Sequence, residues 1–116
     1  MPYKDPKAQK AAQAAWYQRN KLEINRKIRD ARTLRRKYVR DYKLNNSICT
    51  DCEISYPPHM LDFDHLSDKK FQISGNGVKD NGLEAIIEEI SKCEIVCANC
   101  HRHRTYMRSA DKKINN

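Results

Sequence analysis

Val96-Cys97-Ala98-Asn99-Cys100-His101-Arg102-His103-Arg104-Thr105 is the stretch on which the fold turns. It sets two cysteines at C-x-x-C spacing and follows them at once with two histidines and two arginines. The same spacing stands upstream at Cys49 and Cys52, with 44 residues between the two pairs. Zn²⁺ favours four thiolates in a tetrahedron, and each pair supplies one edge of it, so the four cysteines predict a structural Cys₄ zinc site. A helix starting at Cys97 or Ala98 would favour thiolate there through its dipole. A redox pair, or a site in which His101 or His103 replaces a cysteine, uses the same residues. Cys93, the fifth cysteine, lies in an apolar run and is expected as a buried core thiol.

The rest of the composition explains why such a staple is needed. The 116 residues suffice for one compact domain with a small core. Hydrophobic residues make up 39% and charged ones 33%, with a mean hydropathy of −0.94, and a chain this polar gains from a structural metal. No run approaches the roughly 18 apolar residues of a membrane span, and no signal peptide opens the chain. The expectation is an intracellular, cytoplasmic protein with no membrane partner, in which cysteines form thiolate–metal bonds rather than disulfides.

The net charge of +8 is unevenly spread. Residues 1–46 hold 14 Lys and Arg against four Asp and Glu, whereas residues 47–116 hold nine against 11. That asymmetry predicts a basic, polyanion-binding arm at 1–46, a core at 47–110 and a tail at 111–116 that frays. In the arm, Asp5 can cap a helix with Pro6 at its first position. No Gly or Pro follows as far as Lys43, and apolar residues recur at Ile24, Ile28, Ala31, Leu34, Tyr38 and Tyr42. One long helix, or a pair broken near Arg19-Asn20, fits this pattern. Its stripe could pack on the core or pair with a second copy as a homodimer. Its other faces carry Arg29, Arg32, Arg35, Arg36 and Arg40, suited to phosphate contacts. Trp16 and Tyr17 are expected to pack rather than to stack on bases.

Between the cysteine pairs, Tyr56-Pro-Pro-His59 reads as a turn, with His59 at the surface. Met60 to His65 alternates as a short strand, with Leu61, Phe63 and His65 on one face and Asp62 and Asp64 on the other. Residues 66–80 read as a polar loop or β-turn around Gly75-Asn76-Gly77. Asn81 is the expected cap of a helix burying Leu83, Ile86, Ile87 and Ile90, with Glu84 completing a capping box. Cys93 to Val96 suits a second strand, and a last helix should run to about Arg108.

Cys49-x-x-Cys52, Asp64-His65 at a strand end and Cys97-x-x-Cys100-His101 with Arg104-Thr105 beyond it together resemble the HNH endonuclease family, in its zinc-bound branch with two C-x-x-C pairs. The resemblance covers about residues 48–106 and implies an α+β fold: a small zinc-stapled ββα-metal core behind a long basic helix or helix pair. It implies a DNA phosphodiester hydrolase of phage or bacterial type, with His65 as general base and a divalent ion, Mg²⁺ or Mn²⁺, held by Asp64 and His101. Imidazole suits deprotonation of water near neutral pH. The family's usual Asn-Leu pair is replaced by Ser91-Lys92-Cys93, which leaves Asn99 or Asn81 to brace the site. His103 is second in rank to His101, and Asn99 with His103, four apart on one helix, form an alternative metal pair. Arg102, Arg104 and Arg108 are candidate phosphate contacts, and Asp62 a spare or supporting carboxylate. The rival expectation is a non-catalytic, treble-clef zinc module that binds nucleic acid.

Overall fold

The structure is a computed structural model that describes residues 5–115, with side chains as far as Asp111. Helix α1 spans Pro6–Asn45 without a break at Arg19-Asn20. Its start follows the expected logic, since the Lys7 N–H donates to Asp5 Oδ1 at 3.0 Å. The chain divides into two compact units, one ending at Thr33 and one beginning at Leu34.

The described residues of the first unit beyond Asp5 are all helix. Trp16 is 55% exposed and Leu22 82%, with Tyr17 and Ile28 also exposed, so the expected packing of Trp16 and Tyr17 is not found. A Glu23–Lys27 pair at 3.6 Å adds little, being well solvated.

The second unit takes in the end of α1, so the core begins at Leu34 and not at residue 47. Val39 is buried there and Tyr38 and Tyr42 pack beside it, whereas Leu34, expected in the stripe, is exposed. The Tyr42 and Phe63 rings meet with centroids 5.8 Å apart. A 3₁₀ turn at Pro58–Met60 leads into β1 (Leu61–His65). The expected loop that follows contains a short helix, α2 (Asn76–Asp80). Gly75 takes φ +47° before it, and a methyl at Gly77 would collide with the backbone carbonyl of Gln72, so both glycines are demanded by the turn.

Helix α3 (Leu83–Ile90) is preceded by Gly82 at the cap, not Asn81. The Asn81 amide instead donates back to the Gly77 carbonyl at 2.7 Å, closing α2. The buried face of α3 is also rotated from expectation: Ile86, Glu89 and Ile90 are buried, and Ile87 is 43% exposed. β2 (Cys93–Cys97) pairs antiparallel with β1, placing Leu61 opposite Cys97 and His65 opposite Cys93. Helix α4 (Ala98–Asn115) runs on past the expected stop at Arg108 through most of the supposed tail, while Asn116 lies outside the described residues.

Two cores hold this unit. One is aliphatic, centred on Val39, Ile73, Val78, Ile86 and Ile90. The other is built on Cys49, Val96 and Cys97, with Cys52, Tyr56 and Cys100 around it. No helix among the described residues is long and apolar enough to cross a membrane.

Candidate metal centre and histidine cleft

The four predicted cysteines converge. The sulfurs of Cys49, Cys52, Cys97 and Cys100 all lie within 4.8 Å of one another, against the roughly 3.8 Å edge of a tetrahedron with Zn–S bonds of about 2.3 Å. Backbone N–H groups already aim at them. Those of Cys52 and Cys97 donate to Cys49 Sγ at 3.5 and 3.3 Å, and that of Cys100 donates to Cys97 Sγ at 3.4 Å. Cys97 thereby caps α4 with its sulfur. Burial pushes the Cys49 thiol up, but the N–H donors outweigh it and bring it down to about 6. Cys100 moves the other way, to about 12, because it bonds to Cys97 and is buried among like groups. Four crowded sulfurs cannot all ionise alone, and a divalent cation is the partner that would let them. The cluster therefore fits a structural zinc. Cys93 stands apart, half-buried, its Sγ directed at the Glu89 carbonyl at 3.4 Å.

Glu53, just after the first pair, holds φ +61°, a conformation that closes the Cys49–Cys52 knuckle. Thr50 ties that knuckle to β2, its N–H and hydroxyl both donating to the Ile95 carbonyl at 2.9 and 2.8 Å.

The alternation of β1 sorts the next residues. Asp62 and Asp64 turn toward α4, and Phe63 and His65 toward α1 and α3. Asp64 is 2% exposed. Arg108 grips it with two nitrogens, at 2.8 Å to Oδ1 and 2.7 Å to Oδ2, and Arg104 Nη1 reaches Oδ2 at 2.7 Å. The bonds from Arg108, helped by those from Arg104, hold the Asp64 carboxyl at about 2 despite its burial. His101 Nε2 lies 3.5 Å from Asp64 Oδ1, while its Nδ1 bonds to Asp62 Oδ2 at 3.0 Å. Arg104 also clamps Asp51 with two bonds, of 2.7 and 2.6 Å, and reaches Glu94 at 3.1 Å.

His65 ends β1 and is held from the other side. Its Nε2 lies 3.0 Å from Glu89 Oε2, and Glu89 is 1% exposed. The same oxygen accepts the Lys70 N–H at 2.8 Å and the Phe71 N–H at 3.4 Å, and Lys92 Nζ reaches Oε1 at 2.9 Å. Burial alone would raise the Glu89 carboxyl, but Lys92 and the two N–H groups bring it down to about 2. An ionised carboxylate only accepts, so at this contact His65 Nε2 is the donor and Glu89 Oε2 the acceptor. Sequence reading missed Glu89; the signal available was a glutamate lying in register with Ile86 and Ile90 on an apolar helix face.

Asp64, His65, His101 and Arg108 line one cleft of about 360 Å³, together with Lys69 and Gln72. Asn99 and His103 are exposed and lie outside it, because residues 101, 104 and 108 share the inward face of α4. Arg102 is exposed beside Asn99 and Asp62. On α1, Arg35 is taken up by the carbonyls of Val78 and Lys79 at 2.9 and 2.7 Å. Arg29 pairs loosely with Asp30 at 3.6 Å, Arg32 is half-buried, and Arg36 and Arg40 are exposed. Scans of family models, curated proteins and solved structures find no match to this chain.

Proposed function

We propose that this chain is a metal-dependent endonuclease of the HNH type, hydrolysing DNA phosphodiester bonds. The observation that carries the reading is the convergence of Asp64, His65 and His101 on one cleft. Two antiparallel strands leading into α4 agree with a ββα-metal core, and the cysteine cluster with its zinc staple. In this reading His65 is the general base. Glu89 fixes its ring and tautomer, and Nδ1 takes the proton of the attacking water. Asp64 and His101 would hold the divalent ion, with Asp62 on Nδ1 of His101 leaving Nε2 unprotonated for it, a carboxylate–histidine support common at metal sites. A bound ion would stabilise negative charge on the phosphate and the departing oxygen. Arg108 fills the cation place on Asp64; its side chain is 49% exposed and can turn to a phosphate instead.

One observation favours a second reading. Asp64 makes three short bonds to two guanidinium groups, which suits a structural node in a non-catalytic zinc module. A plasmid-nicking assay with Mg²⁺ or Mn²⁺ separates the two. The nuclease reading expects metal-dependent nicking that falls by about 100-fold or more in His65→Ala, with zinc content and DNA retention unchanged. Equal nicking by parent and variant removes His65 as base. DNA retained with no nicking by either supports the binding module.

A further inference from the structure

The cations around Asp64 are consumed by carboxylates, but a second group is not. Arg36, Arg40 and Lys43 from the last turns of α1, with Lys79 from the end of α2, line a cleft of about 620 Å³ that has no carboxylate in its wall. Among the described residues none of these four side chains makes an ion pair or hydrogen bond, whereas the neighbouring Lys37 is held by Asp41 at 2.8 Å. Lys43 is anchored by its ammonium over the Phe63 ring, 5.1 Å from the centroid. The floor is apolar: Val39, Ile73 and Val78 of the aliphatic core. Pro58 and the exposed His59 ring form a side wall.

Among the described residues Arg36, Arg40 and Lys79 have no ion-pair partner, while Lys43 has the Phe63 ring beneath it and the charge of Asp62 within reach. Gathering four cations around one hollow is stabilised by an anion with more than one charged group. Apolar floor and imidazole wall add a place for something flat and uncharged between those charges. A phosphodiester strand with an exposed base has that pattern: charge repeats along the backbone, and a ring stacks on aromatic or histidine faces. In a duplex the base faces are hidden, so an unpaired strand fits a concave site better. The volume falls in the range of about 300–1,000 Å³ typical of small-ligand pockets. We infer that this cleft holds one unpaired nucleotide of a nucleic-acid strand, its flanking phosphates on Arg36, Arg40, Lys43 and Lys79 and its base against His59 and the Val39–Ile73–Val78 floor. The assignment shares with the nuclease reading only its nucleic-acid partner and holds whether or not the chain cuts.

The test is fluorescence anisotropy of labelled dT₁₂ and rU₁₂ on the full chain, with no divalent ion added so that cleavage plays no part. The triple variant Arg36→Ala/Arg40→Ala/Lys43→Ala should bind the preferred oligomer at least ten-fold more weakly. Its salt dependence should flatten by about 2, since each single-strand phosphate contact adds about 0.7 to the slope. A charge-matched variant, Arg19→Ala/Lys21→Ala/Arg26→Ala, should lose under three-fold. The parent should prefer dT₁₂ over an abasic oligomer of equal charge by at least about five-fold, and His59→Ala should erase that preference. Lys79→Ala alone should weaken binding about three-fold, and it keeps the test open if the triple variant loses its fold. Equal losses in the two triple variants, parent-like binding by the cleft variants, or no preference for bases over abasic sites would each overturn the assignment. Failure here leaves the nicking assay untouched, and the reverse also holds.

Discussion

Glu89 holds His65, two backbone N–H groups and Lys92 on one buried carboxylate. Replacing it by Ala strands those partners without an acceptor, and urea denaturation should show a loss of about 3–5 kcal/mol. Its pH signature has a definite sign. The folded-state pKa is depressed to about 2, so the stabilisation is full above the unfolded value of about 4.3 and drains away as pH falls from there toward 2. Melting temperatures between pH 6 and 2.5 should therefore fall less steeply for Glu89→Gln than for the parent; parallel curves would show that Glu89 does not set the acid limb. At this scale the sequence was readable where spacing is local: the two C-x-x-C pairs announce the cluster that they form. Glu89 was hidden because a glutamate on an apolar helix face looks like an interruption until the donors from residues 65, 70, 71 and 92 arrive around it.

Gly77 shows what an element can demand of one residue. Its Cβ position is taken by the carbonyl of Gln72, so Gly77→Ala should destabilise the α2 turn by about 1–3 kcal/mol. Hydrogen exchange should show the increase in opening at residues 74–80 before it shows one in the strands. Helix α1 poses a different question. Its start was legible in Asp5-Pro6, whereas the absence of Gly and Pro left one helix and a pair broken near Arg19-Asn20 equally open, and the single helix is a finding of the structure. How its apolar stripe is used was not legible, because periodicity marks a face without saying what lies against it. Val39, Tyr38 and Tyr42 belong to the aliphatic core, and Arg35 closes α2. A chain starting at Leu34 should therefore stay folded, whereas one starting at residue 45 loses Val39 and Tyr42 and should melt at least 10 °C lower, since each buried side chain of this size is worth about 2 kcal/mol or more. Equal melting temperatures would detach α1 from the core.

Across the whole molecule, the aliphatic core is small and the second core consists largely of cysteine sulfur and its neighbours. Folding and zinc occupancy should accordingly be one transition. Cys97→Ser, which removes one of the four clustered sulfurs and the sulfur cap of α4, should lose zinc and cooperative melting together, as measured by metal analysis and calorimetry. A variant that melts like the parent with no zinc would separate them. The two strands were legible in alternation and apolar content, the helix starting inside the second cysteine pair in its position there, and the cysteine cluster in its spacing. The cross-links between them were not, since they depend on which long side chains meet after folding. Arg104 is the clearest of these: one guanidinium joins Asp51 inside the first cysteine knuckle to Asp64 at the end of β1 and Glu94 on β2. Such a side chain cannot drift in evolution by itself. A neutral residue at 104 would leave Asp51 and Glu94 without their cation and Asp64 with Arg108 alone, so in descendants of this chain Asp51, Glu94 and Arg104 should be inherited or replaced as a set, and a lineage that abandons the knuckle should be free to rewrite all three.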